Sequence, residues 1–280
     1  MGQIYADREL VMSNSVDEHP RQSDYTLHFH DTAELLYFIS GNCVYHIEGS
    51  SYTAEPGDIF ITRPMEAHYV ELSEDVKYER IVLNFSTDIF KSLDPEGKLT
   101  KALFERKSGK QNLYRGEDNV AFFDENIRNM SKQNDRVGIL AYLMPVLWRI
   151  FAIYDKLDGS DAALYDETRS AKIIRYINHN IGEKLLLEKI CEMFFVSKSQ
   201  LCREFKKATG TTVGDYIMKK RLMLIRKDIL AGALPTKAYQ NYGFADYSAF
   251  YRAFVKRFGV SPKEIARGKA AKEEVQPWQY

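Results

Sequence analysis

Between Tyr25 and Phe85 the apolar positions come in short runs broken by turn residues. "ELLYFI" (34–39) and "CVYHIE" (43–48) flank Gly41-Asn42, and "GDIFIT" (57–62) begins just after Pro56. In "YERIVLNF" (78–85), Glu79, Ile81, Leu83 and Phe85 share one face, and Tyr78, Arg80, Val82 and Asn84 the other. Short runs punctuated by Gly and Pro predict a β-barrel or sandwich. After Asp88 the period changes. "NVAFFDENIRNMSK" (119–132) and "VGILAYLMPVLWRIFAIYDKL" (137–157) repeat at helical spacing. The second is apolar enough to be buried on more than one side, and Pro145 predicts a kink or break in it.

"KLDGSDAALYDET" (156–168) is polar and contains glycine, which marks a connection. Everything after it reads as helix. Ile173, Ile174, Ile177 and Ile181 form one stripe, and "LLLEKICEMFF" is a short second helix. Ser197 and Gln200 have the spacing of a capping box, and Gly210 stops the helix they begin. Thr212 and Asp215 open a long helix that ends near Gly232. "SPKE" (261–264) combines a Ser cap, Pro at the first helical position and Glu at the third. The expected domains are 1–157, a linker at 158–169, a helical domain at 170–268 and a tail at 269–280.

The helical part repeats itself. Ser199/Ser248, Leu201/Phe250, Phe205/Phe254, Lys207/Lys256 and Gly210/Gly259 all lie 49 residues apart. The helices before them pair best at 48, so the second unit has one extra residue in its turn. A short helix, a tight turn and a helix with two inward positions make a helix-turn-helix. The helix joining the units, read as Asp215–Ala231, spans about 25 Å at about 1.5 Å per residue. With the width of the flanking units, that brings two recognition helices to about one DNA turn, roughly 34 Å, apart.

Charge sharpens this picture. The 280-residue chain has no formal net charge, yet residues 1–169 hold 18 Lys and Arg against 29 Asp and Glu. Residues 170–267 hold 19 against 8. A basic helical half fits a polyanionic partner. Hydrophobic content of 45% supports two cores. No uninterrupted run of about 18 apolar residues occurs, so no membrane partner is expected. The N-terminus lacks a signal-peptide pattern, and Ala6 stands where a myristoylation signal wants Ser or Thr. Residues 1–22 are polar, which fits a mobile arm and a frayed terminus alike, and the sequence assigns neither. Cys43, Cys191 and Cys202 are an odd count without a CxxC pair, which fits a cytoplasmic chain without structural disulfides.

From Lys172 to Arg267 the sequence resembles the AraC/XylS transcription regulators. The resemblance rests on Ser197, Leu201, Arg203, Phe205, Lys206, Lys207, Gly210, Tyr216, Arg221 and Leu222. In the second unit it rests on "GFADYSAFYRAF" (243–254), Gly259, Ser261 and Pro262. Tyr239 departs from the small Ala usual in the family, Cys191 takes the matching place in the first unit, and the aromatic-Arg after Pro262 is missing. The resemblance implies a sequence-specific regulator of double-stranded promoter DNA. It also implies a small-molecule effector, with a sugar as first guess, a homodimer, and contact with RNA polymerase. If Leu201, Phe205, Phe250 and Phe254 face inward, the outward stripes are Ser199, Cys202, Arg203 and Lys206, then Tyr247, Ser248, Tyr251 and Arg252. Arg203 and Arg252 are the expected base readers, since a guanidinium pairs bidentately with guanine. Lys198, Lys207, Lys256 and Arg257 are expected on phosphate.

"HFHDTAELLYFISG" (28–41) matches the first motif of the cupin β-barrels. The second motif is partial: Gly57 and His68 are in place, but Arg63, Met65 and Leu72 replace Pro, Gly and Asn. His28, His30, Glu34 and His68 thus stand at all four positions that bind metal in cupin enzymes, a set suited to iron, manganese, nickel or zinc. AraC-like regulators often carry a cupin-type sensor that keeps this pattern without catalysis. The fold implied is α+β in two domains: a cupin-like jelly-roll barrel with trailing helices, then an all-α domain with two helix-turn-helix units joined by a long helix. The effector pocket is expected among His28, His30, Glu34, Tyr37, Tyr45, Arg63, His68 and Arg80, with Tyr69 and Tyr78 nearby. No cofactor is required, no catalytic residue is assigned, and the chain is read as a regulator and not an enzyme. The four ligands remain a candidate divalent-metal site. The competing reading is a metal-dependent cupin enzyme fused to a DNA-binding domain. Phe122, Phe123, Ile127, Met130, Leu140, Leu143, Leu147, Trp148 and Phe151 are the expected subunit contacts.

Overall fold

The computed structural model describes residues 2–73, 75–115, 117–156 and 168–268. The chain divides into two compact units between Thr168 and Arg169. The expected linker lies outside the described residues except at its end, where Arg169 already begins a helix. The expected tail lies wholly outside them.

The first unit holds two sheets. The larger runs β1-β2-β8-β3-β6-β9 and the smaller β5-β4-β7. Their strands are β1 Gly2–Ala6, β2 Leu10–Asp17, β3 Ala33–Ser40, β4 Cys43–Ile47, β5 Ser50–Thr53, β6 Ile59–Thr62, β7 His68–Leu72, β8 Tyr78–Phe85 and β9 Leu113–Tyr114. The N-terminal segment is neither a free arm nor a frayed end over its described strands. Leu10–Asp17 pairs antiparallel with β8 along its whole length, and Gly2–Ala6 adds an edge strand beyond it. Leu10 and Met12, 1% and 0% exposed, anchor this segment in the core.

Three helices follow: α1 Lys101–Phe104, α2 Glu117–Met130 and α3 Arg136–Lys156. They cover the outer face of the large sheet, where Leu35, Ile61 and Leu83 join Phe123, Ile127 and Leu143 in one core. Each such side chain contributes roughly 1.5–3 kcal/mol when fully buried. Both faces of β3 and β8 are therefore covered, one by helices and one by the small sheet, which is why apolar residues run unbroken over Leu35–Ile39 and Ile81–Leu83. Pro145 neither breaks nor ends α3, which runs on to Lys156. By length and composition α3 is the one described helix that could cross a membrane. Its Ile139, Leu143, Val146, Leu147 and Ile150 are instead spent on this core. Five expected subunit contacts, Phe123, Ile127, Met130, Leu143 and Leu147, are buried the same way, which removes them from any interface. Trp148 stays 52% exposed.

The second unit is all helix: α4 Arg169–His179, α5 Leu187–Phe194, α6 Lys198–Thr209, α7 Val213–Leu230, α8 Pro235–Ala238, α9 Tyr247–Phe258 and α10 Pro262–Ala266. Ser197 Oγ accepts from Gln200 N, but the Gln200 side chain turns forward to Glu204, so only half of the expected capping box forms. At Ser261 both halves are present, with Pro262 beginning the helix.

Candidate DNA interface and effector site

Helix α6 buries Leu201 and Phe205, leaving Lys198, Ser199, Cys202, Arg203, Lys206 and Lys207 exposed. Helix α9 buries Phe250, Phe254 and Phe258, with Ser248, Tyr251, Arg252 and Lys256 exposed and Tyr247 and Arg257 half-buried. The outward stripes lie where the 3.6-residue period puts them. Among the described residues neither Arg203 nor Arg252 has an intramolecular partner, so both guanidiniums are available. The turns differ by one residue: Phe195–Ser197 in the first unit and Gly243–Asp246 in the second. Phe195 and Gly243 both take left-handed backbone at these turns, and Phe195 is 92% exposed.

Tyr239 is accommodated without displacing the core. The buried position is taken by Ala238, and Tyr239 stacks on Phe250 with ring centroids 5.7 Å apart. There α8 gives way to a tighter 3-10 turn over Tyr239–Tyr242.

One residue ties this unit together in a way no sequence spacing suggests. From α7, Arg221 Nε donates to Ile181 O at 2.9 Å, Nη1 to Gly243 O at 3.2 Å and Nη2 to Glu183 O at 2.6 Å. The guanidinium thus links the segment after α4 to the turn of the second helix-turn-helix.

In the first unit the four candidate ligands come together. One ligand atom each from His28, His30, Glu34 and His68 lies within 4.8 Å of the others. Strand pairing explains it: Glu34 enters from β3, His68 begins β7, and His28 is bridged to His68. Each imidazole Nδ1 lies against a backbone carbonyl, His28 on Thr26 at 3.0 Å, His30 on Thr32 at 2.8 Å and His68 on Glu66 at 2.8 Å. A carbonyl only accepts, so Nδ1–H donates and Nε2 is left for the cluster. His30 Nε2 and His68 Nε2 stand 3.3 and 3.4 Å from the Glu34 carboxylate. Burial alone would raise the Glu34 carboxyl, but His68 and His30 hold it well below the usual range. Burial opposes the His68 charge, yet Glu34 beside it raises that imidazole. His28 is pushed well down by desolvation and by His68.

Other expected pocket residues separate. Tyr45 belongs: its hydroxyl donates to Glu34 at 3.1 Å and its ring stacks on Phe60 across the sheets. Tyr37 does not. Strand alternation puts it with Leu35 on the helix side, where its hydroxyl donates to Asp124 at 2.7 Å. Tyr69 likewise points away from the interior, stacked on His46. Arg63 turns to the Arg106 carbonyl at 3.3 Å and to Glu66, and so leaves the pocket set. Arg106 and Glu66 form a buried ion pair completed by Gly109 N and Asn112, and this holds the Glu66 carboxyl at about 2 against the pull of burial. Arg80 does face the interior, 2% exposed, beside Tyr78. Ser15, opposite Arg80 on β2, faces the interior too, in a segment whose mixed polarity carries no strand signal in the sequence.

A family model described as "AraC-like ligand binding domain" matches residues 16–147, and one described as "Helix-turn-helix domain" matches 190–268. Among curated relatives, the HTH-type transcriptional activator RhaS of Citrobacter koseri is 22% identical over 257 residues, covering 89% of this chain and 90% of the relative. RhaS of Escherichia coli SMS-3-5 is 22% identical over 268 residues, covering 91% and 93%. Among solved structures, ToxT from Vibrio cholerae O395 aligns over 93% of this chain and 98% of its own at 17% identity, with a TM-score of 0.38. The two family-model matches and the RhaS relatives favour a regulator over the cupin-enzyme alternative. The two matched regions span most of the chain, and it belongs to the AraC family as a ligand-responsive, DNA-binding transcription regulator.

Proposed function

We propose that α6 and α9 are the recognition helices, with Arg203 and Arg252 reading bases and Ser199, Cys202, Lys206, Tyr247, Ser248 and Tyr251 beside them. Lys198, Lys207 and Lys256 hold phosphate. The observation that carries this reading is the pair of exposed stripes opposite the buried Leu201/Phe205 and Phe250/Phe254. A bidentate arginine–guanine pair is worth about 1–3 kcal/mol of discrimination, roughly tenfold to a hundredfold. Arg203→Ala is therefore expected to lose that much preference for a selected operator over mixed duplex, read by fluorescence anisotropy. Unchanged operator preference would remove α6 from the groove.

The barrel senses a small polar effector and performs no catalysis. Its interior supports this, with Glu34, Tyr45, His68 and Arg80 buried among apolar walls. A sugar is the first class to try. The effector shifts the regulator by binding one arrangement of the chain better than another. The protein acts in the cytoplasm as a homodimer through the face around Trp148, and it contacts RNA polymerase, as the description of its relatives as activators suggests.

The same four side chains also suit a divalent transition ion. In favour stands one feature: three imidazoles fixed through Nδ1, with Nε2 left beside a buried carboxylate. Such an ion, held by His28, His30, Glu34 and His68, would supply a Lewis-acid anchor for an effector oxygen.

A further inference from the structure

Away from the histidines, the barrel interior holds a second set of polar groups. Arg80 on β8 pairs in register with Ser15 on β2 and Phe38 on β3. It is 2% exposed, and its guanidinium carbon lies 4.4 Å from the ring centre of Tyr78 and 5.2 Å from that of Tyr25. Nη1 and Nη2 are both buried, and among the described residues neither has a hydrogen-bond partner. The same holds for Ser15 Oγ and the Tyr78 hydroxyl. The nearby carboxylates are committed elsewhere. Asp17 accepts from the Tyr25 hydroxyl at 2.9 Å and from His19 N at 3.2 Å. Glu34 is held by the imidazoles and Tyr45.

Arginine stays charged in protein interiors and offers donors only. A buried charge without a counter-charge is unfavourable unless something pairs with it. The Tyr25 hydroxyl leans on the guanidinium and the two aromatic faces soften its charge, but neither ring brings a counter-charge. What the cluster lacks is an acceptor with several lone pairs and a negative charge, and a carboxylate has both.

We infer that the effector carries a carboxylate, which docks on Arg80 and is further held by Ser15 and Tyr78. This rests on the reading of the barrel as the effector site and narrows its ligand from polar metabolites to organic acids, sugar acids among them. The acid end sits at Arg80, and the rest of the molecule extends along the interior face of β8 and β3 toward Glu34 and Tyr45.

The test uses the full chain and the simplest probes, acetate against its neutral isostere acetamide, then galacturonate against galactose. Thermal unfolding is followed in a buffer free of carboxylates. Acetate is expected to raise the wild-type midpoint saturably while acetamide does not. Arg80→Met keeps the side-chain length without the charge, and is expected to weaken the acetate response by about tenfold or more. Without any probe, its midpoint is expected to match or exceed that of the wild type. Ser15→Ala, a smaller change, is expected to weaken acetate binding in a chain that folds normally, which keeps the test decisive if Arg80→Met misfolds. Equal responses to acetate and acetamide, or an undiminished acetate response in both variants, would overturn the inference. Salt-dependent binding of mixed-sequence duplex DNA is measured on the same samples. Its loss would sink the regulator reading, whereas its persistence without any acid response would sink only the carboxylate.

Discussion

Replacing Arg221 by Met tests how the second unit is held together. The change keeps the aliphatic stem and removes three donors, those to Ile181, Glu183 and Gly243. A bond from a charged donor contributes about 1.5–3 kcal/mol when fully formed. Arg221 is half-buried and two of its bonds lie at the surface, so only the Nε bond to Ile181 counts in full. The expected loss is about 2–4 kcal/mol. For a unit of roughly 100 residues, each kcal/mol shifts the midpoint by about 4–8 °C, so the second unit is expected to melt about 10 °C or more below wild type. Hydrogen exchange on the full chain locates the effect: protection drops around residues 181–183 and the turn after Tyr242, while the barrel is unchanged. Arg221→Lys is expected to recover little, since one ammonium cannot span three carbonyls set at different angles. A loss under about 0.5 kcal/mol, the scale of ordinary surface substitutions, with unchanged exchange at both segments, would refute the clamp.

The remaining predictions are shorter. A maleimide is expected to label exposed Cys202 and spare Cys43, whose buried thiol is pushed up to about 12, and bound operator is expected to protect Cys202. Labelling of Cys202 at the same rate on DNA would contradict its place on the reading face. Glu66→Gln leaves Arg106 buried without its counter-charge, and is expected to destabilise the barrel by about 3–5 kcal/mol in urea denaturation; a neutral result would mean that Asn112 and the carbonyls suffice. If the histidine cluster holds an ion, elemental analysis after purification is expected to find a transition metal in wild type and its loss in His68→Ala, with equal metal in both counting against the site.

The sequence by itself determined the two-part architecture, the helix-turn-helix repeat and its outward stripes. Those features are periodic, and period is a local property: burying Leu201 and Phe205 forces Arg203 outward whatever else the fold does. It also picked out the histidines and Glu34, through their resemblance to the two cupin motifs, although His28 and His30 precede β3 and join the cluster only through the fold. Only the tertiary structure decided the rest. Two strands near the N-terminus are not legible in the sequence because they are mixed in polarity, Leu10 and Met12 facing the helices and Ser13 and Ser15 the interior. Tyr37 left the pocket and Arg80 stayed in it through the alternation of two strands whose faces are both buried, so hydrophobicity could not say which face was which. Arg221 and the Glu66–Arg106 pair depend on contacts about 40 residues apart in sequence. No local pattern encodes such a pairing, because it exists only once the chain has closed on itself.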